Sequence, residues 1–184
     1  MMTREEALAW VKENIKNKNL LKHSLAVEAC MRAVARRLGQ DEEKWGLAGL
    51  LHDIDYEQTK GDAQTHSMLG ADMLAARGLP EDLVYAVRVH NEAHGLPRNS
   101  LMDKALYAVD PLTGLIVAAA LIAPEKKLSA IDTNFVMKRF GEKAFARGAN
   151  REQIKSCAEL GLTLDEFITI GIEAMRTIAA ELEL

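Results

Sequence analysis

Three Ser/Thr-x-x-Glu/Asp boxes, at Thr3–Glu6, Ser100–Asp103 and Thr163–Glu166, mark helix starts along this chain. In such a box the hydroxyl accepts a first-turn backbone N–H while the acid reaches back to the cap. Between the boxes apolar residues recur at three- and four-residue spacing, and no convincing run has the alternation of a strand. The first box opens a helix to about Ile15. A second helix runs from about Leu20 to Leu38 and stops at Gly39. Asp41 caps a third, which carries Trp45 through His52. Asp55 to Thr65 reads as a polar loop, and His66 to Ala76 as a helix ended near Gly78. Pro80 starts the next, to about Asn91. The Ser100 box opens a helix toward Val109, and Asp110-Pro111 begins a new helical segment. The Thr163 box opens a terminal helix to about Glu181. The expected fold class is all-α, an irregular helical bundle.

Length and composition agree. The chain has 184 residues, 48% of them hydrophobic but only 5% aromatic, with four prolines. That favours one helical domain over a sheet. The net charge of −4 predicts no general nucleic-acid binding. Cys30 and Cys157, far apart on helical patterns, read as core thiols rather than zinc ligands or a disulfide. The N-terminus is acidic and unlike a signal peptide. The longest apolar run, Leu112 to Ala123, is shorter than the about 20 residues a bilayer span needs. The expectation is a cytoplasmic protein with no membrane partner, whose apolar terminal helix leaves room for an oligomer.

Four of the five histidines fall on apolar stripes of four different helices. His23 aligns with Ala26, Val27 and Cys30, and His52 with Trp45, Ala48 and Gly49. His66 aligns with Leu69, Gly70 and Met73, and His90 with Leu83, Ala86 and Val87. A lone inward histidine is usually a hydrogen-bonded core residue. Four together, with Asp53 beside His52, suggest a shared cation, because an unpaired buried carboxylate is costly. Gly49 and Gly70 are expected to leave open space one turn from His52 and His66. Asp110 can cap the segment that Pro111 begins, or point inward with Leu106 and Tyr107. His94 is expected to face solvent or to support a ligand.

In this order the residues resemble the HD superfamily of metal-dependent phosphohydrolases, over about His23 to Asp110. The family pattern of a histidine, a His-Asp pair and a later aspartate matches His23, His52, Asp53 and Asp110. The two extra histidines of two-metal members match His66 and His90. The resemblance implies an HD-domain core with its metal site over 1–124 and a C-terminal helical extension, 125–184, packed on the same domain. It implies that His23, His52, Asp53 and Asp110 hold one ion and that Asp53 bridges to a second held by His66 and His90. One or two divalent transition-metal ions, Fe, Mn, Co, Ni or Zn, suit such ligands. His90-Asn91, and Asp55-Tyr56 after the pair, depart from the cyclic-dinucleotide phosphodiesterases of the superfamily.

The implied chemistry is hydrolysis of a phosphoester or phosphoanhydride by metal-activated hydroxide, with Asp53 as the catalytic residue. The expected substrate is a nucleotide or another small phosphorylated metabolite. Lys60 and Lys104 are candidates to hold its phosphate. The basic cluster Lys138, Arg139, Lys143, Arg147 and Arg151 reads as a solvated face or a rim for an anion. Two rivals share the residues: a di-iron oxygenase of the HD fold, and a non-catalytic nucleotide-sensing module.

Overall fold

In a computed structural model describing residues 2–184, every regular element is a helix, with no strand among the described residues. The helices are α1 (Arg4–Asn14), α2 (Lys18–Leu38), α3 (Glu42–Leu51), α4 (Met68–Ala76), α5 (Glu81–Val89), α6 (Leu101–Ile122), α7 (Thr133–Phe140), α8 (Arg151–Lys155), α9 (Leu164–Arg176) and α10 (Ala179–Leu182). The boxes at Thr3 and Ser100 form in full. At Thr163 only half forms: its hydroxyl accepts from Glu166 N, while the Glu166 carboxylate takes Arg37 Nε at 2.7 Å. The terminal helix also breaks after Arg176 and restarts as α10. Cys30 and Cys157 are buried and unpaired, and burial pushes their thiols up to about 12 and about 11.

The core forms around α2 and α6. Helix α2 lies against α3, α6 and α9, and α6 touches α2, α3, α5, α7, α8 and α9. A Cβ on Gly49 of α3 would lie 2.9 Å from the Val27 carbonyl oxygen, so α2 and α3 meet backbone to backbone. That glycine is therefore a close approach rather than open space.

Residues 101–122 form one helix where a break at Asp110-Pro111 was expected. Proline has no N–H to give the carbonyl four residues back. Here that carbonyl, Tyr107 O, accepts instead from Gln153 Nε2 at 2.8 Å. With the helix unbroken, Asp110 is not a cap and its carboxylate is free to point inward. The length argument against a membrane span fails for the same reason. By length and composition α6 is apolar enough to cross a membrane, and 61% of its most apolar window is buried inside the bundle.

Candidate metal centre

Two histidines reach the centre by the same local device. His52 and His90 are the C-caps of α3 and α5. Each ring folds back on its own helix: His52 Nδ1 lies 2.8 Å from Gly49 O, and His90 Nδ1 lies 2.6 Å from Val87 O. A carbonyl only accepts, so both Nδ1 atoms carry protons and both Nε2 atoms point away. His23, on α2, has its Nδ1 3.1 Å from Thr113 Oγ1, whose own proton goes to Asp110 O at 2.9 Å. His66, in the turn before α4, has its Nδ1 3.1 Å from Asp55 Oδ1. All four imidazoles are thus held at Nδ1.

The four Nε2 atoms converge on Asp53. Its Oδ2 lies 3.3 Å from His52 and 3.7 Å from His23, and its Oδ1 lies 3.3 Å from His66 and 3.5 Å from His90. Asp110 Oδ1 closes the first half, 3.0 Å from His23 Nε2 and 3.8 Å from His52 Nε2. Two overlapping donor groups could hold a cation, His23 with His52 and Asp110, and His52 with Asp53 and His90, all atoms of a group lying within 4.8 Å; both draw on His52, whose one free nitrogen serves a single ion. His52 and His90 form a buried floor, while His23, Asp110 and His66 keep 25%, 28% and 15% of their side chains accessible. The centre therefore opens on that side.

The residues fit a divalent transition metal. His52 Nε2 is buried and makes no well-formed hydrogen bond, its nearest acceptor Asp53 Oδ2 standing 3.3 Å away, an expensive state for a polar atom. A cation in front of it would satisfy it together with the carboxylates. Imidazole plus carboxylate suits one or two ions of this kind.

Without metal the carboxylates hold protons on the rings. Burial opposes the charged form of His52, but Asp53 and Asp110 raise it to about 9. Burial also opposes charge on His66, which Asp53 and Asp55 lift to about 10. Both exceed the ordinary value of about 6.5. The stability these groups add to the metal-free fold is therefore complete below about pH 6.5 and lost as pH rises through 9 and 10. A metal ion must displace the same protons, so its affinity should rise with pH, by up to about tenfold per unit for each proton released. The gain in melting temperature on adding Mn²⁺ or Zn²⁺ is expected to be smallest near pH 6 and largest above pH 9. Thermal melts with and without metal across that range check it, and a flat gain would contradict the proton count.

Asp55 is the residue that sequence reasoning missed. Its polar neighbours point to a loop, yet it is fully buried. Its Oδ2 accepts Ser67 N at 2.8 Å and Gly70 N at 2.9 Å, leaving Oδ1 for His66. A Cβ on Gly70 would come within 3.2 Å of this carboxylate, so that glycine too makes room for a neighbour rather than leaving a void. Ser67 sits at φ 69°, a left-handed value that its N–H to Asp55 and its hydroxyl to Arg88 O help to hold. Asp55→Asn tests this arrangement. The amide oxygen would take the two N–H groups and turn its NH2 toward His66 Nδ1, forcing the ring proton onto Nε2. Metal affinity on that half should fall about 10- to 100-fold, readable by calorimetric titration.

The remaining expectations separate. His94 is partly buried, its Nε2 2.8 Å from His66 O, so it supports the backbone of that turn. Lys60 is exposed, and Lys104 pairs with Glu159 at 3.6 Å; neither joins the converging six. The basic cluster does not form one face. Arg151 turns inward onto Phe145 O, Ala149 O and Phe140 O, and Arg139 pairs with Glu142, while Lys138, Lys143 and Arg147 are exposed.

Comparison with known proteins places these residues in context. The HD domain family model matches residues 20–123. Ribonuclease Y of Oleidesulfovibrio alaskensis is 33% identical over 98 residues, 53% of this chain and 18% of that protein. Ribonuclease Y of Lawsonia intracellularis is 31% identical and that of Nitratiruptor sp. 34% identical, each over 137 residues, 73% of this chain and 26% of the relative. The chain thus spans about a fifth to a quarter of the length of these relatives. Their name overturns the expectation, drawn from net charge, of no general nucleic-acid binding. A charge of −4 summed over the chain does not report the charge at the mouth of one site.

Proposed function

The chain belongs to the HD domain family and is a metal-dependent hydrolase, and from that premise we propose that it cleaves a ribonucleotide phosphoester, with an RNA phosphodiester as the first substrate. The observation that carries the hydrolytic reading is Asp53 set between two pairs of histidine Nε2 atoms, with Asp110 completing one side. His23, His52, Asp53 and Asp110 would hold one ion, and Asp53, His66 and His90 a second. Ions bound there supply Lewis-acid activation of water and neutralise charge on phosphoryl oxygens. The protein's own part is to fix the donors. The Nδ1 contacts keep each Nε2 aimed at the centre, and the buried floor limits water to the accessible side. The substrate class rests on the name of the relatives. Lys60 and Lys104 remain proposed phosphate contacts, Lys104 after leaving Glu159.

The test is metal analysis of the purified protein, then a panel of single-stranded RNA, duplex RNA, mononucleotides and base-free phosphoesters with matched Mn²⁺, Fe²⁺, Co²⁺, Ni²⁺ and Zn²⁺. Cleavage of RNA with at least one metal is expected. Phosphate release confined to mononucleotides or base-free esters would reject the RNA assignment. Oxygen uptake by the iron form with no hydrolysis would favour the oxygenase.

A further inference from the structure

At the accessible edge of the centre stands a side chain that none of the metal chemistry uses. Tyr56 is 37% exposed, the one aromatic among the exposed large apolar residues described. Its ring meets His66 edge-on, centroids 5.3 Å apart at 86°. The other two tyrosines anchor their hydroxyls, Tyr85 on Pro97 O and Tyr107 on Glu92, whereas that of Tyr56 has no partner among the described residues.

The backbone that carries the ring is nonetheless held in place. Tyr56 N donates to Asp53 O at 2.9 Å. Buried Thr59 closes the same turn, its N and Oγ1 both 2.9 Å from Asp55 O. The backbone under the ring is therefore tied to both aspartates of the His52-Asp53-Ile54-Asp55 stretch. Lys60 follows on the same segment, exposed, its charge felt by the Glu57 carboxylate.

We propose that Tyr56 is a stacking platform for the base beside the scissile phosphate, which sets the substrate class as a single-stranded ribonucleotide chain. The inference rests on the ribonucleotide reading above and deepens it. An exposed, pre-placed ring gains by having its face covered. Every nucleobase offers a π-face, so stacking selects for an unpaired base with little regard to sequence. Lys60, four residues on, is the cation offered to the adjoining backbone phosphate. A base within a duplex is already stacked and has no free face to offer.

The experiment compares wild type, Tyr56→Phe and Tyr56→Ala on a short single-stranded oligoribonucleotide and on the same strand lacking the base next to the cleaved phosphate. Losing one stacked base is expected to raise KM about 5- to 150-fold in Tyr56→Ala, with a smaller change in kcat and with Tyr56→Phe close to wild type. The base-free strand should bind weakly to wild type and be indifferent to Tyr56→Ala. In a separate measurement without metal, Tyr56→Trp should lose fluorescence on adding the intact strand, against the steady background of buried Trp10 and Trp45. Equal KM for wild type and Tyr56→Ala on the intact strand would overturn the platform and leave the hydrolytic reading standing. A wild-type protein that cuts neither strand with any of the five metals would overturn the RNA reading and the platform with it.

Discussion

Asp53→Asn is expected to cost hydrolysis at least roughly 10²- to 10³-fold, the scale of losing one preorganised electrostatic contact in an active site. The substitution keeps the shape of the side chain and removes its charge. It also turns an NH2 group toward one pair of Nε2 atoms, either His23 and His52 or His66 and His90. Both halves of the centre meet at this one carboxylate, so both should lose metal. A second readout is independent of turnover. Burial opposes the charge on His52, and Asp53 is the largest influence raising it to about 9, so its titration should move down in metal-free Asp53→Asn. Imidazole resonances followed by NMR across pH would report it. Wild-type metal content and turnover in this variant would remove Asp53 from the centre altogether.

The second large effect separates one ion from two. His66→Ala with His90→Ala removes both imidazoles facing Asp53 Oδ1 and leaves His23, His52 and Asp110 in place. The expected result is the loss of one metal equivalent per chain, measured by elemental analysis, with the other retained. Circular dichroism guards against a folding defect, since His90 is buried. Metal content equal to wild type would sink the two-metal arrangement.

How far this could be foreseen varies with how local the cause is. Helix starts were legible because a cap acts over three residues, as at Thr3, Asp41 and Ser100. The six converging residues were legible from their order along the chain and the family resemblance; helical phase was a poorer guide, since His66 lies in the turn before α4, behind Ser67 at φ 69°. What failed came from partners distant in sequence. Asp55 looked like loop because its neighbours are polar, and only Ser67, Gly70 and His66 make it a buried acceptor. Gly49 and Gly70 are small for a reason, but phase alone cannot say whether a glycine leaves a void or admits a neighbour. The half-formed box at Thr163 failed because Arg37, far away in the chain, claims the acid. Net charge was a poor guide because it is a sum over the whole chain and says nothing of the charge on any one face.

The bridge from Gln153 to Tyr107 O also bears on the order in which the protein can be finished. A chain emerges N-terminus first and its parts fold as they appear. Asp110, the last aspartate of the cluster, emerges well before Gln153, which lies 46 residues beyond Tyr107. Until then the carbonyl one turn before Asp110 lacks its side-chain partner, at a cost of about 1–3 kcal/mol if it is shielded from water. The turn that aims Asp110 thus lacks this tie until Gln153 is made. A nascent chain would secure the helix that closes the cluster only once Gln153 has followed Asp110 by some forty residues.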